Sequence, residues 1–286
     1  MRIPFAVVLL ILISFVFNVK SQNLSERLGV CTSPDKALLL KDAGYAYIEI
    51  GIRSFLMPDK PDSLFAFNLQ QAEKSALPLY SGNGFFPGEM RLTGLDVNMK
   101  AILDYTKTAM QRAQKTGIKI FVLGSGGARR IPEGFSREEA KAQFVGLCKE
   151  IALLGEKYDV VVAIEPLRKE ETNFINTVRE GTEIAKEVNH PNLGVLADFY
   201  HMACENEEVA AIVEARDWLK HCHIAEKEIR SAPGVKGDDF IPYLSALKQI
   251  NYKGAISMEC RWDRFDSEVK AAIESLKLQI KQVYIK

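Results

Sequence analysis

The chain has 286 residues, 47% of them hydrophobic, and its 37 basic and 37 acidic side chains cancel. That apolar content supports a substantial core and excludes a disordered chain. With no basic excess, the charge pattern of a nucleic-acid binder is also excluded, and a small-molecule partner is expected.

The first stretch, MRIPFAVVLLILISFVFNVKSQ, has Arg2 in a short basic start, an apolar run from Ile3 to Phe17 and a polar exit. Fifteen apolar residues are short for a membrane span, which needs about 20, and suit the core of a signal peptide. Val19 and Ser21 supply a small-residue cleavage pattern before Gln22. Residues 1–22 are therefore read as a signal peptide and 23–286 as the folded domain. The mature protein is expected to be periplasmic or secreted, with no stable membrane insertion. Cys31, Cys148, Cys204, Cys222 and Cys260 show no C-x-x-C pair. Two of them lie in apolar runs where free buried thiols are common, so no disulfides are expected.

From there apolar runs alternate with amphipathic stretches. LGVCTS precedes DKALLLKDAG, and YAYIEIGI precedes an irregular stretch that contains Ser54 to Ala76. LPLYSGNGFF leads to DVNMKAILDYTKTAMQRAQKTG, with Gly117 as a helix stop. IKIFVLGSGG leads to SREEAKAQFVGLCKEIALLGEKY, with Ser136 as N-cap. VVVAIEP, LGVLADF, LKHCHIAE and GAISMEC follow, each with its own helical segment. Continuous apolar strands separated by helices imply a parallel sheet covered on its faces. Eight such units match an α/β fold of the (β/α)₈ TIM-barrel type. CTSPDK, between the first strand and first helix, lacks the glycines of a dinucleotide-binding turn, and no linker divides the chain.

A barrel of this kind builds its active site from the carboxyl ends of its strands. Those ends carry Glu49, Ser81 or Asn83, Ser125, Glu165, Asp198, His223 and Glu259. The last four come from successive strands at separations of 33, 25 and 36 residues, so three carboxylates and an imidazole converge. Packed together they would repel one another or take up protons unless a cation lay among them. Oxygens with one His nitrogen suit Mn²⁺ foremost, with Mg²⁺ or Co²⁺ as alternatives; Zn²⁺ is also compatible, although the set has no thiolate. Glu49 either hydrogen-bonds a substrate hydroxyl or orients a neighbour. His221 reads as a packed or supporting residue, GSGGARR as a tight turn rather than a phosphate cradle, and Trp262 as a core or rim residue that could stack on a sugar.

The motifs E-P-L-x-x-x-E-T-x-x-x-N-T (Glu165 to Thr177), D-x-x-H-M (Asp198 to Met202), H-x-x-E (His223 to Glu226) and M-E (Met258, Glu259) resemble the xylose isomerase-like TIM barrels. Within that group the pattern is similar to the ketose 3-epimerases of tagatose and allulose type, across essentially the whole mature chain. The resemblance implies that Glu165, Asp198, His223 and Glu259 hold one divalent metal, and that Glu165 and Glu259 form the acid/base pair. It implies that Glu171 contacts the substrate's first carbon and its hydroxyl, and that His201 lies beside the reacting carbonyl oxygen. An Arg expected six residues after the metal His is replaced by Ile229, with Arg230 one position further, so this loop departs from the pattern. The Ser54 to Ala76 stretch has no counterpart in the resemblance. Barrels of this family often pair, so a homodimer is an expectation.

Removing a proton next to a carbonyl creates an enediolate, which needs stabilisation of the developing negative charge. Returning the proton to the opposite face epimerises, returning it to the next carbon isomerises, and expelling a neighbouring group eliminates. The expected function is a metal-dependent isomerase or epimerase of a sugar or keto-sugar. Its rival is a metal-dependent lyase acting on 3-keto-glycosides. An endonuclease IV-like nuclease, disfavoured by a chain with only four His, and a non-catalytic carbohydrate-binding protein rank below both.

Overall fold

A computed structural model describes residues 23–284, so the segment read as a signal peptide lies outside the described residues. Eight parallel strands close in sequence order: β1 Leu28–Cys31, β2 Tyr47–Gly51, β3 Leu79–Asn83, β4 Ile120–Leu123, β5 Val161–Ile164, β6 Leu193–Asp198, β7 Leu219–Ile224 and β8 Ile256–Met258. β8 pairs back onto β1, Val30 opposite Met258. Every apolar run read as a strand forms one. No described helix is long and apolar enough to cross a membrane.

The helices start and stop where local chemistry dictates. The Ser136 hydroxyl accepts from the Glu139 N–H at 3.3 Å to open Arg137–Tyr158. Gly117, at φ 83°, ends Met99–Thr116 in the left-handed region open to a residue without Cβ. The chain from Ser54 to Ala76 is not irregular: Ile52–Phe55 makes one turn and Asp62–Lys74 a full helix between β2 and β3. It is the helix that the alternation requires. Its signal is weak because Phe65 is its one buried residue, while Leu64 and Phe67 face outward. All five cysteines are free.

Side chains alternate along each strand, so one set fills the barrel interior. Ile120, Val122, Ala163 and Leu196 form an apolar layer there. Towards the carboxyl ends it gives way to buried Glu49, Ser81, His221, Ser257 and Asp198. The polar groups therefore sit on the inward register of strands that read as core.

GSGGARR forms the tight turn expected of it, a single helical turn Gly126–Arg129 after β4. Its Arg129 is fully buried. The guanidinium donates to the carbonyls of Leu123, Glu165, Phe174 and Ile175 at 2.8–3.2 Å, tying the loop after β4 to the loop after β5. Burial pulls its pKa down to about 10. Replacing Arg129 with Met would strand these carbonyls, and the expected loss is about 3 kcal/mol or more, read as a lowered midpoint in urea unfolding.

Candidate active site

Glu165 follows β5 directly, Asp198 ends β6, His223 lies near the end of β7 and Glu259 follows β8. Asp198 and His223 are paired across adjacent strands. His223 faces Ser257, and Glu259 stands two residues on, on the same side. The four residues offer ligand atoms that all lie within 4.8 Å of one another. His223 Nδ1 is 3.0 Å from Glu165 Oε1 and 3.1 Å from Glu259 Oε2. Gly124 leaves the room this needs, because a Cβ there would collide with the Glu165 carboxylate.

Beneath the cluster lies Glu49, fully buried. Its carboxylate accepts from Ser81 Oγ and Ser257 Oγ, both at 2.6 Å, and contacts His221 Nε2 at 2.9 Å and His223 Nε2 at 2.8 Å. Its oxygens are shared among four neighbours, and none of the residue's surface is exposed. Of the two sequence readings, orienting a neighbour is the one its geometry fits. His221 takes the supporting role expected of it, reaching Ser257 Oγ at 3.1 Å as well.

This contact sets the character of His223. Nε2 donates to Glu49, which leaves Nδ1 facing two carboxylates. A lone pair aimed at carboxylate oxygens is repulsive, so a proton or a cation must lie between Nδ1 and those oxygens. Burial acts against a charged imidazole, yet Glu49, Glu259 and Glu165 hold the His223 pKa well above its ordinary value. Burial also raises Glu49, but His223 and the hydrogen bonds from both histidines outweigh it and keep the carboxyl well below the usual range. Glu165 moves the other way, raised by burial and by neighbouring Glu259. Three carboxylate donors and one imidazole nitrogen directed at a common point fit a hard divalent cation.

Asp198 divides its oxygens. Oδ1 caps the helix Phe199–Glu205 by accepting from the Tyr200 N–H at 2.9 Å, and Oδ2 faces the cluster. Arg230 is brought to the same place: Nη2 lies 3.1 Å from Asp198 Oδ2 and also pairs with Glu259, while Nε donates to the Glu259 carbonyl at 2.9 Å. Ile229 and Arg230 both take positive φ, 51° and 58°, and this reversal lets the displaced Arg reach the mouth. Fully buried Glu226 organises that loop. It accepts from Ser231 Oγ and the N–H groups of Gly234, Lys236, Gly237 and Asp238 at 2.5–3.3 Å.

His201 is buried, and its Nδ1 accepts from the Arg168 N–H at 3.3 Å. The proton is thereby placed on Nε2, which lies 3.5 Å from Asp198 Oδ2 and has no hydrogen-bond partner among the described residues. Glu171 is at the rim, held by Arg168 Nε at 2.9 Å. Arg168 also pairs with Glu170, whose side chain is largely exposed. Asn176 donates to the carbonyls of Leu167 and Thr172 and fixes the loop after β5. Asn83, at the end of β3, donates to Glu259 Oε1 at 2.8 Å. Trp262 packs against the core and edge-on to Phe265, so it is not placed as a sugar platform.

The sequence matches the family described as xylose isomerase-like TIM barrel over residues 37–282. The chain belongs to that family. Among curated members it is 34% identical over 137 residues to the L-ribulose 3-epimerase of a Methylomonas species, covering 48% of this chain and 46% of that protein. It is 34% identical over 102 residues to the 3-dehydro-D-guloside 4-epimerase of Escherichia coli, covering 35% of this chain and 38% of that one. The chain thus spans less than half the length of these two relatives. The crystal structure of a Methylomonas D-allulose 3-epimerase in complex with D-allulose superposes with a TM-score of 0.75 at 25% identity, over 88% of this chain and 96% of that one.

Glu49 makes the cluster's geometry testable without any substrate. Glu49→Gln replaces a charged acceptor between two histidines with an amide, and the expected cost is about 3 kcal/mol, measured by thermal unfolding in the presence of a chelator.

Proposed function

We propose that the protein is a divalent-metal-dependent epimerase or isomerase of a sugar or keto-sugar, working by proton removal next to a carbonyl. The observation that carries this reading is the meeting of Glu165, Asp198, Glu259 and His223 Nδ1 within 4.8 Å. These four residues would hold the cation, Mn²⁺ foremost. Bound there, it would act as a Lewis acid where an enediolate develops negative charge. Family membership and the likeness to sugar epimerases support the reading.

The chain's own residues supply the rest. Glu165 and Glu259 come from β5 and β8, three strands apart, so their carboxylates reach the cluster from different sides of the barrel mouth. Glu165 is nearly closed to solvent, with its proton affinity raised by burial and by Glu259, which suits a group that takes and holds a proton. Glu259, steadied by Asn83 and Arg230, would return a proton to the other face. The unpartnered Nε2–H of His201 is free to donate to a carbonyl oxygen. Arg230 places positive charge beside the same point, and Glu171 is at the rim for a substrate hydroxyl. Export through the leading segment and pairing into a homodimer complete the proposal.

Two outcomes follow. Manganese at 100 times its dissociation constant should stabilise the protein by about 2.7 kcal/mol, and Asp198→Asn combined with His223→Ala should remove that gain in a thermal-shift titration. With metal-loaded protein and a ketose panel in D₂O, solvent deuterium should enter a released epimer or isomer by NMR. Glu165→Gln and Glu259→Gln should each lower that rate by about 10²–10⁴. Unchanged rates in both variants would remove the mechanism, and release of an aglycone from a 3-keto-glycoside would instead identify elimination.

A further inference from the structure

A cavity of about 710 Å³ opens from the catalytic cluster towards the helix Asp62–Lys74. Its inner end is lined by Glu259 and Asn83. Its outer end runs between the loop after β1, where Ser33 and Asp35 lie, and Phe67, Asn68 and Gln71 of the helix. His201, Glu171, Glu165 and Arg230 do not line it, so the cavity lies to one side of the cluster and meets it at Glu259.

The helix that forms this wall has two faces. Phe65 is buried, and Leu69 and Ala72 pack against the core at a spacing of four and three residues, one stripe of a helix. Phe67, Asn68 and Gln71 lie off that stripe and turn to the cavity. Phe67 is 66% exposed, so packing does not explain an aromatic there. Asn68 donates to the carbonyls of Ser54 and Phe55, which fixes its amide and leaves its side-chain oxygen free to accept. One aromatic face, two side-chain amides, a hydroxyl and a carboxylate make a lining that recognises a sugar ring. The apolar side of the ring lies on the aromatic, and its hydroxyls meet the polar groups.

We infer that the cavity is a second sugar-binding subsite and that the substrate is a keto-sugar carrying a glycosyl substituent. This rests on the function proposed above and names its substrate class. The keto-sugar lies at Glu165 and Glu259, and the substituent ring lies on Phe67 between Gln71 and the Ser33–Asp35 loop.

The test compares fructose with three of its glycosyl derivatives, lactulose, turanose and maltulose, which differ in the linkage that points the second ring. Affinities are read by calorimetric titration of the manganese-loaded protein, so that binding is measured whether or not turnover occurs. At least one disaccharide should bind about tenfold more tightly than fructose, and Phe67→Ala should collapse that ratio towards one. Because Phe67 is exposed, the variant should keep the wild-type unfolding temperature. If no disaccharide outbinds fructose, or if Phe67→Ala leaves the ratio unchanged, the subsite is overturned. Deuterium exchange on the same samples reports the chemistry separately: tight disaccharide binding without exchange supports the subsite and removes the proposed reaction.

Discussion

The structure turns on a carboxylate with no access to water. Glu49 lies inside the barrel, below the site, and holds both imidazoles of β7 by their Nε2 atoms. Such a group persists only where every lone pair is met. Ser81 from β3, Ser257 from β8 and the two histidines meet it, so four strands are linked through one side chain. The consequence appears one layer higher. With Nε2 committed, Nδ1 of His223 has a single direction available, into the ring of Glu165, Asp198 and Glu259. A carboxylate below the site thus decides which nitrogen of His223 faces it.

Much of this was legible in the residues. Each run that reads as a strand is one, because parallel strands covered on both faces must be apolar almost throughout. The four clustered residues were legible as a group: one charged or imidazole side chain at the end of such a run is commonly solvated or ion-paired, but four at matching depth on successive strands converge. Ser136 and Gly117 announced their helix ends through local hydrogen bonding and backbone preference, which need no tertiary context.

What stayed hidden depends on contacts across the barrel. Glu49 could not be told from a substrate contact, since its partners lie on strands 32 or more positions away. Arg129 read as part of a glycine-rich turn, and only the folded loops show four carbonyls around its guanidinium. The helix Asp62–Lys74 was missed because its apolar residues point two ways, into the core at Phe65 and into the cavity at Phe67. Arg230 stood one position late in sequence, and two successive left-handed residues restore its place. In each case the one-dimensional signal was weak because the residue answers to something distant along the chain.

The clamp formed by Arg129 has a bearing on how the protein can change over time. Every bond it makes is to a main-chain oxygen, so the clamp is indifferent to which side chains Leu123, Phe174 and Ile175 carry. The loops it joins can drift in composition while the frame around Glu165 keeps its dimensions.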